Sequence, residues 1–182
     1  SISSKGFAVF PRDFNNENIW ISYAKKMNSK IIRFGLKNDI TKFTNLNLHA
    51  EIIGEIKRNI PLNLNVKINN NKNFDLELKG FGEQFARNAL SAIAVGIALK
   101  IPIEKILNAL KKFAPVKGRG DFHILKNGTV VVDDSYNANP DSMAAAILAL
   151  KKFNCPRCIV LGDMGEMGDQ SLESHKEIIE LA

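Results

Sequence analysis

The sequence predicts an α/β chain in two parts, and three observations carry that prediction. Apolar and polar residues alternate with a strand period through much of the first eighty residues. Two helical segments then follow one another closely. After a break rich in Gly and Pro, apolar runs each lead through a polar loop into a helix.

Phe7-Ala8-Val9-Phe10 reads as a short buried strand. Asn16 to Met27 has helical spacing, with Ile19, Ile21 and Ala24 on one side, and Lys30 to Gly35 is a second strand that stops at Gly. From Ile40 to Gly80 the pattern becomes strand-like. Leu62 to Ile68 and Phe74 to Leu78 alternate apolar and polar residues, which suits half-buried strands, and the Asn-rich stretch Asn69 to Asn73 reads as the turn of an antiparallel hairpin. Glu83 to Leu99 is apolar almost all round and predicts a buried helix. Pro102 to Phe113 is a second helix, with Pro102 near its first turn, where a missing N–H costs nothing.

Pro115-Val116-Lys117-Gly118-Arg119-Gly120 breaks the pattern and reads as a linker, placing a boundary between parts 1–118 and 119–182. Thr129 to Asp134 then predicts a buried strand ending in acids, Ser135 to Pro140 a polar loop, and Asp141 to Phe153 a helix. Cys158 to Leu161 predicts a strand, Gly162 to Gln170 a Gly-rich loop, and Ser171 to Leu181 a helix. Strand, loop, helix, strand, loop, helix is the order of a parallel, Rossmann-like sheet, whose functional groups gather in loops at the carboxyl ends of strands.

Composition narrows the function classes. Of the 182 residues, 45% are hydrophobic and 24% charged, which supplies a real core. No apolar run approaches the roughly 18–20 residues that cross a bilayer, so no membrane span is expected. The opening residues Ser1 to Gly6 carry no signal-peptide pattern and no initiating Met, and the expectation is that the chain begins inside a longer protein. The net charge is +6, but Lys111-Lys112 and Lys151-Lys152 are pairs rather than a stripe, and aromatics are not interleaved with them. Nucleic-acid binding is therefore not expected. Cys155 and Cys158 make at most half a zinc site, and two incidental reduced thiols in a cytoplasmic protein is the favoured reading.

Four segments could carry chemistry. In Val132 to Met143 an apolar strand delivers Asp133 and Asp134 into a loop with Tyr136, Asn137 and Asn139. A carboxylate there can accept hydrogen bonds from both hydroxyls of a ribose, and Asn and Tyr can meet a base. Asp141 and Ser142 read as helix caps instead. Val160 to Gly168 places Asp163 and Glu166 among three glycines, with His175 on the next helix; it lacks the Gly-Lys-Ser/Thr ending of a phosphate loop. His175 could serve a ligand, a cap or the surface. Arg119 beside Gly118 could clamp phosphate oxygens. Asn88, alone in an apolar helix, needs a partner if buried, and a base edge or a backbone carbonyl would serve.

Together these segments resemble the Mur ligases, and within that family the branch that adds D-alanyl-D-alanine. The run Asp134-Ser135-Tyr136-Asn137-Ala138-Asn139-Pro140-Asp141-Ser142 is the most specific part. Leu161 to Gly168 with His175, Gly118-Arg119 and Asn88-Ala89-Leu90 stand in matching order. The resemblance implies that 1–118 is the C-terminal part of a central ATPase domain and 119–182 the start of a Rossmann-like C-terminal domain. It implies Asn88 near adenine, Arg119 near phosphates, Asp134 on ribose, and Tyr136, Asn137 and Asn139 on the nucleotide side of an interdomain cleft. Asp163, Glu166 and His175 would lie on the side of the incoming dipeptide. Gln84 and Phe85 depart from the family's His and Asn, which alters the adenine contact.

The implied reaction uses ATP and Mg2+ to activate the terminal carboxylate of UDP-N-acetylmuramoyl-tripeptide as an acyl phosphate, which the amine of D-alanyl-D-alanine attacks. The family's phosphate loop, metal ligands and modified Lys are expected upstream of Ser1. No catalytic or metal-binding residue is therefore expected in this chain, and the chain alone is expected to be inactive. Two competing readings are a noncatalytic nucleotide- or nucleic-acid-binding module and a related Mur ligase of different amino-acid specificity.

Overall fold

The computed structural model describes residues 6–12, 16–39, 46–69 and 72–182. Asn70 and Asn71 of the expected turn, and most of the opening segment, lie outside them. The chain divides into two compact units. One holds the residues up to Lys79 together with Phe85–Phe113, and the other holds Gly80–Gln84 together with Ala114–Ala182.

The first unit is built on a five-stranded sheet in sequence order: β1 (Phe7–Pro11), β2 (Lys30–Leu36), β3 (Ala50–Asn59), β4 (Leu62–Ile68) and β5 (Lys72–Leu78). β1–β2 and β2–β3 are parallel, whereas β3–β4 and β4–β5 are antiparallel. This division decides the residue pattern. A parallel strand reached through a crossover is covered on both faces. Accordingly, Ala8, Phe10 and Ile31 pack with Ile21 and Ala24 of helix α1 (Glu17–Lys26), while Ile32 and Leu36 turn to the opposite face.

On that opposite face Leu62, Leu64, Val66, Leu76 and Leu78 meet Ala86, Ala89, Leu90, Ile93 and Ala94 of helix α2 (Gly82–Ala98). Ile106 of helix α3 (Ile103–Lys112) closes the same cluster. The antiparallel strands leave their other face to Asn63, Asn65 and Lys67, hence their clean alternation. Gly54 makes room here: a Cβ would stand 2.8 Å from a Leu90 methyl, which would have to shift.

Helix α2 departs from its expectation. It buries one face only: Gln84, Asn88, Ala92 and Val95 are exposed. A run of Ala and Leu satisfies a one-sided groove as well as full enclosure, and the sheet offers it a single face.

Behind the parallel strands lies a charged cluster that the sequence does not announce. The Arg33 guanidinium, itself 3% exposed, donates to Glu17 at 3.0 Å and to Glu51 at 2.9 Å. Nearby, Arg87 of α2 makes a two-pronged pair with Asp39, at 2.6 and 2.7 Å. Such forked geometry holds both partners in direction as well as distance.

The second unit is thinner. Strands β6 (Asp121–Ile124) and β7 (Val130–Asp133) form an antiparallel ribbon. Helix α4 (Pro140–Lys151) and helix α5 (Ser171–Leu181) pack together through Ile147, Ile178 and Met164. The first turn of α2 joins this unit, with Phe81 stacked on Phe153 and Lys152 donating to Glu83.

The α/β class is what the structure shows, but two strand expectations are corrected. β7 is not buried: Val130 is 40% and Val131 44% exposed, and its ladder is antiparallel. Cys158 to Leu161 joins no ladder among the described residues, and Val160 is 92% exposed. Apolar β-branched runs predict extended backbone, yet a strand exists only through a neighbour, which local sequence does not name. Among the described residues no helix is long and apolar enough to cross a membrane.

Candidate functional site

The second unit folds its linker back on the loop after β7. The N–H of Tyr136 donates to the Gly118 carbonyl at 2.9 Å, and the Gly120 N–H bonds the Asp134 carboxyl. These two bonds place Arg119 between their partners. Its guanidinium lies over the Tyr136 ring, 4.0 Å from the centroid, a cation–π contact. Gly118 is favoured here on two counts. Its φ is +77°, and a Cβ would stand 3.1 Å from the Tyr136 nitrogen, a backbone atom that cannot swing aside.

The two acids at the end of β7 are treated oppositely. Asp133 accepts from the Ser135 hydroxyl at 2.6 Å and from the Ser135 N–H at 3.2 Å, and those bonds hold its carboxyl below the ordinary carboxylate range. The Asp134 carboxyl is pushed above that range. Crowding by protein around the carboxyl is the largest cause and the neighbouring Asp133 charge adds to it, against the Gly120 N–H and Arg119. Asp133 is thus absorbed by its own turn. Asp134 is exposed, so its carboxyl, held on one side by the Gly120 N–H, stays open to a hydrogen-bond donor brought by a ligand.

Asn139 has a local task that the sequence analysis assigned elsewhere. It is the N-cap of α4: its side chain accepts from the Ser142 N–H at 2.8 Å, and the Ser142 hydroxyl accepts from the Asn139 N–H at 3.1 Å. Capping thus falls to Asn139 with Ser142, while Asp141 sits in the first turn and Pro140 opens it. An N-cap must lie one residue before the first helical position, and Pro140 sets that position. The side-chain amide nitrogen of Asn139 takes no part in the cap and stays open to a ligand. Asn137 is exposed in the same loop.

The Gly-rich segment is tethered rather than loose. Met164 is buried among Ile147 and Ile178, and Met167 packs beside them. The Met164 N–H donates to His175 Nε2 at 3.1 Å, and His175 Nδ1 meets the Ser171 carbonyl at 2.7 Å. Asp163 and Glu166 remain exposed on either side of Met164, and Glu166 takes φ +60° although it is not a glycine.

The structure therefore gathers Arg119, Asp134 and Tyr136 into one cluster, with Asn137 and Asn139 following in the chain. Asp163, Glu166 and His175 form a second group in the same unit. Asn88 belongs to the first unit, exposed on α2 one residue after the Arg87–Asp39 pair. The condition attached to it, a partner if buried, does not arise, because the residue is exposed.

Two contributors went unread in the sequence, Gly120 as a donor to Asp134 and Ser135 as the clamp on Asp133. A Gly-x-Gly spacing around Arg119 and an Asp-x-Ser turn were the available signals. Asp39 gave none, standing 48 residues from Arg87. Among the described residues no group of three or more His, Cys, Asp or Glu could hold a metal ion. An open recess of about 600 Å³ lies apart from both groups, lined by residues 151–157.

Comparison with known proteins places these groups in context. Residues 118–182 match the family described as Mur ligase, glutamate ligase domain. Over 181 residues the chain is 32% identical to the UDP-N-acetylmuramoyl-tripeptide–D-alanyl-D-alanine ligase of Buchnera aphidicola, covering 98% of this chain and 35% of that protein. It is 29% identical to the Escherichia coli enzyme of the same name, covering 100% of this chain and 38% of that protein. The crystal structure of MurF from Acinetobacter baumannii superposes with a TM-score of 0.75 at 30% identity, over 98% of this chain and 36% of that one. The chain thus spans roughly a third of the length of the curated relatives it matches.

Proposed function

Because this chain belongs to the Mur ligase family, we propose that it is part of an ATP-dependent ligase joining D-alanyl-D-alanine to UDP-N-acetylmuramoyl-tripeptide. In this reading 1–118 is the last part of the central ATPase domain, and 119–182 opens the C-terminal domain. The observation that carries it is the exposed Asp134 carboxyl, held by the Gly120 N–H beside Arg119, whose guanidinium lies on the Tyr136 ring. A carboxylate, a cation and an aromatic face suit a ribose, a phosphate and a base respectively. The residues present therefore fit a nucleotide.

ATP would supply the phosphoryl group that turns the tripeptide's terminal carboxylate into an electrophile for the dipeptide amine. Toward that chemistry this chain contributes holding and charge. Asp134 accepts from ribose hydroxyls. Arg119 offsets phosphate charge, and stacking on Tyr136 keeps its guanidinium from swinging freely. Asn137, and Asn139 through its amide nitrogen, line the nucleotide side, with Asn88 near adenine. The exposed loop of Asp163 and Glu166, with His175 behind it, faces the dipeptide. Mg2+ would be held by residues outside this chain, and the cytoplasm is where ATP and a nucleotide-linked precursor meet.

Phosphoryl transfer rests mainly on positioning and charge neutralisation, so a chain that supplies only part of the nucleotide cradle has no turnover by itself. Two measurements test the reading. A coupled phosphate-release assay on the 182-residue chain with both substrates is expected to stay at background; substrate-dependent turnover would overturn the expected inactivity. In the ligase carrying this chain, Asp134→Ala is expected to raise the KM for ATP by at least about tenfold, the size of lost charge-assisted hydrogen bonds. An unchanged KM for ATP would remove Asp134 from the nucleotide site.

A further inference from the structure

His175 bonds two backbone groups whose senses are fixed. A carbonyl can only accept, so Nδ1, at 2.7 Å from the Ser171 oxygen, must carry the proton. An amide N–H can only donate, so Nε2, at 3.1 Å from the Met164 nitrogen, must be bare. Both demands select one neutral tautomer, and no other form of the ring meets them together. The ring is partly buried, with its two nitrogens committed to the chain itself.

What the ring holds is the middle of the Gly-rich loop. Met164 enters the α4–α5 core, where it is 3% exposed, and Met167 packs against the same cluster. Between and beside these anchors stand the exposed Asp163 and Glu166, the latter in the left-handed region that side chains rarely adopt. A loop of glycines would not keep such a backbone without a fixed point.

We propose that His175 is a positioning residue: as the neutral Nδ1–H tautomer it pins Met164 and so sets the direction in which Asp163 and Glu166 are presented. It acts through the loop and does not itself touch substrate. The functional half rests on the reading above, that this loop faces the incoming dipeptide, and two carboxylates suit the ammonium end of that ligand.

The pin is tested on the 182-residue chain. Nitrogen-15 NMR of the imidazole at pH 8 is expected to show Nδ1 protonated and Nε2 bare; the opposite tautomer would overturn the proposal. Hydrogen exchange at the Met164 amide is expected to quicken about tenfold in His175→Asn, which cannot reach it, the scale of one backbone hydrogen bond. His175→Gln, whose Oε1 can accept at the Nε2 position, is expected to keep the protection. Equal exchange in both variants would overturn the pin, and using two folded polar variants avoids reliance on His175→Ala.

The consequence is tested in the ligase carrying this chain. His175→Asn is expected to raise the KM for D-alanyl-D-alanine about tenfold, with the KM for ATP unchanged, and His175→Gln to restore it. If the NMR and exchange results hold while the dipeptide KM does not move, the pin stands and the dipeptide-facing role of the loop falls. A rise in the ATP KM as large as that for the dipeptide would equally overturn that role.

Discussion

The two units hold their residues in place by different means. In the first, Leu62, Leu64, Val66, Leu76, Leu90 and Ile93 are all essentially inaccessible and touch across a five-stranded sheet and two helices. In the second, the buried apolar cluster comes down to Ile147, Met164 and Ile178. What fixes the second unit instead is a set of local polar bonds: Tyr136 to Gly118, Gly120 to Asp134, Ser135 to Asp133, Asn139 with Ser142, and His175 to Met164 and Ser171. Apolar burial is large and without direction, whereas a hydrogen bond is small and aims a group. Most of the candidate chemistry lies in the unit that relies on aim.

The contrast can be broken from the side of the first unit. Arg33→Ala removes a guanidinium from between Glu17 and Glu51 and leaves Glu17 buried without its partner. It is expected to destabilise that unit by about 3–5 kcal/mol, read from denaturant midpoints. Leu90→Ala opens a cavity against Gly54, Leu64 and the neighbouring strands and is expected to cost about 2–5 kcal/mol. If Leu90→Ala costs less than the cap substitution that follows, the first unit is not the apolar anchor described here.

In the second unit the effects are smaller and more local. Gly118→Ala combines a positive φ with a Cβ pressed on the Tyr136 backbone. It is expected to cost about 1–3 kcal/mol and to unseat Arg119 from the ring, visible as a change in Tyr136 near-ultraviolet circular dichroism. Asn139→Ala removes the cap of α4 and is expected to cost about 1 kcal/mol, with early hydrogen exchange in the first turn of that helix.

The smallest effect on stability belongs to the group proposed to matter most for binding. Because the folded Asp134 carboxyl sits above its ordinary pKa, the unfolded chain ionises first as pH rises. This residue therefore withdraws stability between the ordinary and the raised value, and the deficit persists above both. Asp133, held low, does the reverse: it adds stability above the ordinary carboxylate pKa and loses it as pH falls through the lowered one. Asp134→Asn is accordingly expected to leave the neutral-pH melting temperature unchanged or slightly higher, while Asp133→Asn lowers it. A clear fall for Asp134→Asn would mean that the carboxylate is structural and not held ready for a ligand.

Much of this was legible in the residues. Helix α5 and strand β4 have the bounds their patterns imply, because a helical stripe and a two-residue alternation are local signals. The loops bearing Asp134 and Asp163 could be named from the apolar runs that precede them and the polar residues and glycines that fill them. The opposite fates of Asp133 and Asp134 could not, because one turn of backbone decides which carboxyl meets Ser135 and which meets Gly120.

Local pattern alone, then, settles the kinds of element, their order and the loops where polar groups collect, since each depends on neighbours within a few residues. Pairing required the folded chain. It alone shows that β7 joins β6 in antiparallel fashion while 158–161 joins nothing described, that Asp39 finds Arg87, and that His175 faces Met164. Each of those choices is made between residues separated along the chain, where composition and period carry no address and only packing and hydrogen-bond direction select the partner.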